Sequence, residues 1–435
     1  MSWLKVESSK LEGEIKAQPS KSYTHRAISV GLLANGESKI KQPLESLDTR
    51  ASLEASKILG AKISENKDTW KITGTNGEIT PRKDFIDVKN SGTTLRFMSA
   101  IAALSPNPIQ LSGDASIQER PMKPLIKALK KLGASAECKG ENFRPPVIVG
   151  GGIEGGKVSI TGEISSQFIS GLLLACPFAE NAVDLVIKEK LKSKPYVKMS
   201  LEVIKSAKGE IKNNSNLTEF HIPNNQEFKP IDYVVPGDFS SAAFILGAGA
   251  LTGSNVTVSN LNPNDVQGDK RIIDLIKEFG IEVLTHDKSV EVTGKGKLEG
   301  IKADCSDTPD LVPVLAILGA ASEGTTRLLN IQHLRYKEVD RLKALASEIK
   351  KLGAKVNEKR DELQITGVNQ LKGGKFDSYG DHRIAMALAI AGLDSQDPVF
   401  IENAECIDVS YPDFVNDMKS LGAQLEIQKE KTSRK

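Results

Sequence analysis

Four stretches of the chain bring cations and hydroxyl groups together, two of them with a glycine, and the chemistry they could serve is that of small anions. The first is Pro19-Ser20-Lys21-Ser22-Tyr23-Thr24-His25-Arg26, and the second is Asn90-Ser91-Gly92-Thr93-Thr94-Leu95-Arg96, followed by Gln118-Glu119-Arg120-Pro121. The third is His333-Leu334-Arg335-Tyr336-Lys337-Glu338-Val339-Asp340-Arg341, and the fourth is Tyr379-Gly380-Asp381-His382-Arg383. An arginine fork grips phosphate or carboxylate through two parallel N–H bonds. A residue without Cβ, such as Gly92, lets backbone N–H groups come close to a ligand. The spacing of Lys337 and Arg341 predicts a helix that carries both on one face; taken alone, it reads equally well as an exposed salt-bridge ladder. Together the four stretches predict a cleft that holds several negative groups at once.

What must position these residues is a repeat. An amphipathic stretch ends in a glycine, followed by a strand, at Gly60, Gly133, Gly209, Gly280, Gly353 and Gly422. The interval of roughly 70 residues exceeds the ~20–50 of solenoid repeats and is long enough for a whole βα-type unit. Before each of these lies a nearly apolar stretch: 22–34, 91–104, 165–175, 240–250, 308–321 and 381–392. Their composition predicts buried helices with capping residues Ser22, Ser91, Ser165, Ser240, Thr308 and Asp381 at their starts. Several open with cations: His25 and Arg26, Arg96, and His382 with Arg383. A cation there lies on the wrong end of the helix dipole. A bound anion reverses the penalty, because helix N-termini hold phosphate and carboxylate well. Such starts in phase on one repeat predict an anion site.

Composition narrows the class. Lys and Arg total 58 against 56 Asp and Glu, and the signs are interspersed, so no basic stripe of the nucleic-acid type is present. Cys138, Cys176, Cys305 and Cys406 stand far apart without a C-x-x-C pair, which argues against a zinc site or disulfide framework and fits a reducing cytoplasm. The five histidines show no metal-ligand spacing. The first residues alternate like a strand rather than forming a signal peptide, and no apolar run reaches the ~20 residues of a membrane helix. The expectation is a soluble, cytoplasmic, metal-independent protein that needs no cofactor and binds neither nucleic acid nor membrane.

The segment Val234-Val235-Pro236-Gly237-Asp238 is the best central break, and Ala17-Gln18-Pro19-Ser20 marks an early one. Cutting at both predicts one globule of three repeat units over 18–236. The other takes the first strand, 1–17, together with the last three units, 237–435. Two chain crossings make a natural hinge pair. Short Val/Ile/Thr-rich runs such as 157–161 and 289–293 predict mixed sheets packed on the buried helices.

The whole chain resembles the 5-enolpyruvylshikimate-3-phosphate synthases of the enolpyruvyl transferase family. The motifs that carry the resemblance are Ser20-Lys21-Ser22 with Arg26, Asn90-x-Gly92-Thr93 with Arg96, Glu119-Arg120-Pro121, Ser165-Ser166-Gln167 and Ser193-Lys194-Pro195-Tyr196. Pro309-Asp310, Lys337-Glu338-x-Asp340-Arg341-Leu342 and Asp381-His382-Arg383 complete the set. The wording from Pro19 to Arg26 is more similar to the archaeal branch than to the common bacterial form. The resemblance implies an α/β (α+β) fold of two globules, each of three βαβαββ units, with buried helices aimed at an interdomain cleft. It implies transfer of the enolpyruvyl group of phosphoenolpyruvate to the 5-hydroxyl of shikimate 3-phosphate through a tetrahedral intermediate, by a monomer. It further implies that Lys21, Ser22, Arg26, Ser165, Ser166, Gln167, Ser193, Tyr196, Asp310, His333 and Lys337 hold shikimate 3-phosphate. Lys21, Gly92, Arg120, Gln167, Arg341 and Arg383 would hold phosphoenolpyruvate. Asp310 would take the hydroxyl proton, and Glu338 would deliver and retrieve a proton at the methylene carbon.

Three positions depart from the family pattern. The segment from Glu405 to Pro412 lacks a lysine usual there, with Lys375 and His382 as possible substitutes. His333 stands where bacterial members often have asparagine, and Pro19 replaces a glycine. The sister enzyme acting on UDP-N-acetylglucosamine usually carries a reactive cysteine in the loop that here runs from Gly113 to Arg120, which has none. A non-catalytic anion-binding protein on the same scaffold would have no need of both Asp310 and Glu338.

Overall fold

Six four-stranded sheets repeat along the chain, each built as one parallel pair followed by two antiparallel pairs. The computed structural model describes residues 2–429. Within a repeat the order is strand, apolar helix, strand, amphipathic helix and two strands. In the second repeat, for example, Phe85–Asp87 and Ile109–Ser112 flank the helix Gly92–Ala102, and Lys123–Lys131 leads into Ser135–Gly140 and Arg144–Gly150. The chain forms two compact units, Pro19–Val235 and Met1–Gln18 with Pro236–Lys435, with three sheets in each.

The unit Pro19–Val235 closes on itself. Its last strand, Asp232–Val234, pairs in parallel with Glu37–Lys41 and supplies the strand that precedes the first apolar helix. The other unit closes through the N-terminal residues, and here the structure corrects the expectation of a single first strand. Residues 1–17 hold two strands in two different sheets. Ser2–Glu7 inserts between Val399–Glu402 and Gln424–Lys429, completing the sixth repeat, while Glu12–Lys16 pairs with Asn255–Ser259 and opens the fourth. Residues 8–11, outside any strand, separate the two.

The apolar stretches form the helices Lys21–Leu33, Gly92–Ala102, Ser166–Ala175, Phe239–Thr252, Val312–Ala320 and His382–Gly392. Every residue of Phe239–Thr252 is buried, as the absence of a polar face requires. Ser91, Ser165 and Asp381 cap their helices as expected. Two caps lie earlier than expected: Ser20 accepts from the Tyr23 N–H and Asp238 from the Ser240 N–H, so Ser22 and Ser240 fall inside the first turn. Thr308 does not cap at all. Its helix begins at Val312 with Pro313 in the first turn, and a proline there removes a donor that would need capping.

Past the amphipathic helices, Gly60, Gly133, Gly280, Gly353 and Gly422 take φ between +93° and +118°, the left-handed stop that favours glycine. The third copy differs. Lys208 carries the positive φ of +63°, and Gly209 is there for space: a Cβ on it would meet Ile204 Cγ2 at 2.5 Å and Phe228 Cε1 at 2.6 Å.

Candidate active site

In the unit Pro19–Val235 the functional side chains gather at helix starts. Arg26, 2% exposed, donates from Nε to Ser200 Oγ (2.9 Å), from Nη1 to the Ser22 carbonyl (2.8 Å) and from Nη2 to the Tyr196 carbonyl (2.7 Å). Its guanidinium lies 5.3 Å from the centre of the Phe97 ring. Burial pulls its pKa down to about 10, so it remains a cation at neutral pH. Gln167 is held at both ends: Arg96 Nη1 donates to its Oε1 at 2.6 Å, and its Nε2 donates to Thr93 Oγ1 at 2.9 Å. Ser166 opens the same helix that Ser165 caps.

Gly92 leaves room at the start of its helix. A Cβ on it would lie 3.5 Å from Nη1 of both Arg120 and Arg96, and its φ is not positive, so space rather than backbone conformation explains the glycine. Two guanidinium groups beside bare helix-start backbone suit an anion. Ser193 precedes the helix Lys194–Ser206 in left-handed backbone (φ +56°, ψ +42°) without using its hydroxyl as a cap. Backbone held in that region at a serine marks a site over-determined by its surroundings. Lys21 is paired with Asp48, Nζ to Oδ2 2.9 Å.

The second cluster, in the other unit, is centred on Arg341, which is 1% exposed. Its Nε donates to Asp381 Oδ2 (2.9 Å), its Nη2 to Asp381 Oδ1 (3.2 Å) and to Glu338 Oε2 (2.6 Å), and its Nη1 to Asp310 Oδ1 (3.3 Å). Burial alone would lower its pKa, but Asp381, Glu338 and Asp310 more than offset that and raise it. Asp310 also meets Arg383 Nη2 at 3.1 Å and Lys337 Nζ at 3.6 Å. Burial lowers the Lys337 pKa, and repulsion from Arg341 and Arg383 adds to this while Asp310 opposes it. Asp269 is buried and accepts from Ser240 Oγ at 2.5 Å; burial, then the neighbouring Asp310, push its pKa up to about 7. Two carboxylates on one fixed guanidinium, with side chains 13% and 22% exposed at Asp310 and Glu338, can exchange protons with a bound substrate while staying positioned.

One expectation fails in this cluster. Lys337 and Arg341 do not share a helical face: Lys337 is extended (φ −86°, ψ −153°) after the short turn Gln332–Tyr336, and the helix starts only at Arg341, capped by Asp340. The two cations converge instead through Asp310. His333 is buried on that same short turn. Of the two substitutes for the absent lysine, Lys375 is exposed on a strand with its Nζ 5.5 Å from the Trp3 ring centre, whereas His382 is buried beside Asp381 and Arg383 at a helix start. Sequence reasoning left out Asp48, Asp269 and Asp381. Asp381 stood in a singled-out motif, and its double role as cap and arginine partner shows only in three dimensions. Asp48 and Asp269 carry no local signature beyond an acid near a helix start.

These arrangements have relatives. The family model for EPSP synthase (3-phosphoshikimate 1-carboxyvinyltransferase) matches residues 6–418. A 3-phosphoshikimate 1-carboxyvinyltransferase of Methanosarcina acetivorans is 47% identical over 426 residues, covering 97% of this chain and 98% of its own. Its counterpart in Methanocaldococcus jannaschii is 44% identical over 422 residues, covering 96% and 97%. Among solved structures, the EPSP synthase of Acinetobacter baumannii superposes with a TM-score of 0.81 at 26% identity, over 99% of this chain and 100% of that one. The enolpyruvyl transferase NikO of Streptomyces tendae, at 17% identity and a TM-score of 0.79, shares the fold over 98% and 99%. By its motifs, its repeated architecture and these matches, the chain belongs to the EPSP synthase (3-phosphoshikimate 1-carboxyvinyltransferase) family.

Proposed function

We propose the following division of labour for the reaction of this family, which this chain catalyses. The 5-hydroxyl oxygen of shikimate 3-phosphate adds to C2 of phosphoenolpyruvate while a proton reaches the C3 methylene. The C2–phosphate bond then breaks and a C3 proton leaves, giving the enol ether and inorganic phosphate. Asp310 takes the hydroxyl proton. Glu338 delivers the proton to C3 and retrieves one in the elimination. Ser22, Arg26, Ser165, Ser166, Gln167, Ser193, Tyr196, His333 and Lys337 hold shikimate 3-phosphate. Gly92, Arg120, Gln167, Arg341 and Arg383 hold phosphoenolpyruvate, and Lys21 serves both.

The observation that carries this reading is the setting of Asp310 within 3.6 Å of Lys337, Arg341 and Arg383, with Glu338 on the same Arg341. Two polyanions repel one another, so a reaction between them gains from fixed cations, and general acid–base steps need carboxylates within reach of them. Arg26 has only three of its five N–H groups committed to the protein by the bonds above, which leaves donors for a ligand. The same reading takes the protein as a monomer acting in the cytoplasm, where its four free cysteines stay reduced.

The test is a pair of near-isosteric variants. Asp310→Asn and Glu338→Gln are each expected to lower turnover by about 10²–10⁴-fold, the usual worth of a general acid or base. In deuterated water, Glu338→Gln is also expected to lose solvent-hydrogen exchange into the methylene group. Normal turnover in either folded variant rejects its assigned role.

A further inference from the structure

Asp48 is a buried carboxylate that none of the roles above uses. It sits in the first turn of the helix Leu47–Ile58, and its side chain is 8% exposed. Its Oδ2 lies 2.9 Å from Lys21 Nζ, and its Oδ1 lies 3.6 Å from Nε2 of the fully buried His25. His25 Nδ1 meets Ser52 Oγ at 2.7 Å, Ser52 Oγ meets Thr94 Oγ1 at 2.8 Å, and Thr94 donates to Ser91 Oγ at 2.7 Å. The contacts run from Asp48 through His25, Ser52 and Thr94 to Ser91.

Burial holds the His25 pKa below its ordinary value, which favours the neutral imidazole. Burial would raise the Asp48 pKa, but the Lys21 ammonium beside it outweighs this and holds it well below the usual carboxylate range. The buried anion of this cluster is Asp48, and Lys21 is paired with it.

We propose that Asp48 is a positioning residue for the reaction: it fixes the Lys21 ammonium at the start of one helix and, through His25, Ser52 and Thr94, ties it to Ser91 and the turn that presents Gly92. Lys21 and the Gly92 helix start then behave as one preset anion receptor, their spacing set by Asp48 rather than by the ligand. Ser91, at the far end of these contacts, caps the Gly92 helix by accepting from the Thr94 N–H at 3.1 Å. Loss of the charge at 48 removes an ion pair from a lysine whose own side chain is 14% exposed.

The inference rests on the reading of Lys21 as a substrate-binding cation, and the experiment separates the two. Asp48→Asn, Lys21→Ala and the double variant are compared with the parent for kcat and for KM with phosphoenolpyruvate, with thermal unfolding as a check on folding. Asp48→Asn alone is expected to lower kcat/KM by about 10–100-fold. In the Lys21→Ala background the same change is expected to cost less than about twofold, because a residue that acts only through another has nothing left to position. A full-sized further loss in that background overturns the proposal, as does parental kinetics in Asp48→Asn. Parental kinetics in Lys21→Ala overturns instead the reading of Lys21 beneath it. If Asp48→Asn does not fold, Asp48→Glu, which keeps the charge and moves it by one methylene, takes its place in the cycle with the same expectation.

Discussion

A methyl group at Gly92 would lie beside Arg120 and Arg96, where the proposed site holds phosphoenolpyruvate. A Cβ 3.5 Å from both guanidinium groups fits without a clash, so Gly92→Ala should fold normally while filling ligand space. The expected result is a KM for phosphoenolpyruvate raised about tenfold, worth ~1.4 kcal/mol, with a smaller change for shikimate 3-phosphate. Arg120→Ala should raise the same constant, and a rise confined to shikimate 3-phosphate would reverse the ligand assignment. Asp269 offers a test of electrostatics. Its pKa in the fold, about 7, lies above its ordinary 3.8, so the fold favours the neutral acid. Its stabilising contribution is full below pH 3.8 and is lost as pH rises through about 7. The melting temperature of the parent should therefore fall more between pH 5 and pH 8 than that of Asp269→Asn. Parallel profiles in the two proteins would contradict this setting of Asp269.

Elements explain why Arg341 can be so deeply placed. Asp381 caps the helix His382–Gly392, accepting from the Arg383 and Ile384 N–H groups, and the same carboxylate holds Arg341 through two bonds. Asp381→Ala removes the cap and leaves a buried guanidinium short of a partner. A loss of about 3–5 kcal/mol is expected from the broken buried pair, read by denaturant unfolding; a loss under ~1 kcal/mol would mean that Glu338 and Asp310 suffice. The six buried helices were legible because runs such as Phe239–Thr252 are apolar all round, and only burial satisfies them. Helix starts were less so. Ser20 and Ser22 can both cap, and which one does is fixed by where the chain leaves its extended entry. The four-residue spacing of Lys337 and Arg341 imitated a helix, but Asp340 is a cap, and a cap sits outside the helix it begins.

For the molecule as a whole, the near-zero net charge is matched locally at the buried helix starts, where Lys21 and Arg341 have acids placed to hold them. The repeat made the architecture readable, because six phased glycines and six apolar stretches can be recognised without knowing what they touch. What stayed hidden were partnerships between distant segments. Glu12–Lys16 pairs with a strand some 240 residues later in the chain, and Asp48 finds Lys21 by the packing of two helices; neither leaves a mark on neighbouring residues. Phosphate release from phosphoenolpyruvate should be measured with shikimate 3-phosphate and with UDP-N-acetylglucosamine offered separately. Release with shikimate 3-phosphate alone is the predicted result. Release only with UDP-N-acetylglucosamine, or with neither acceptor from folded protein, would contradict it.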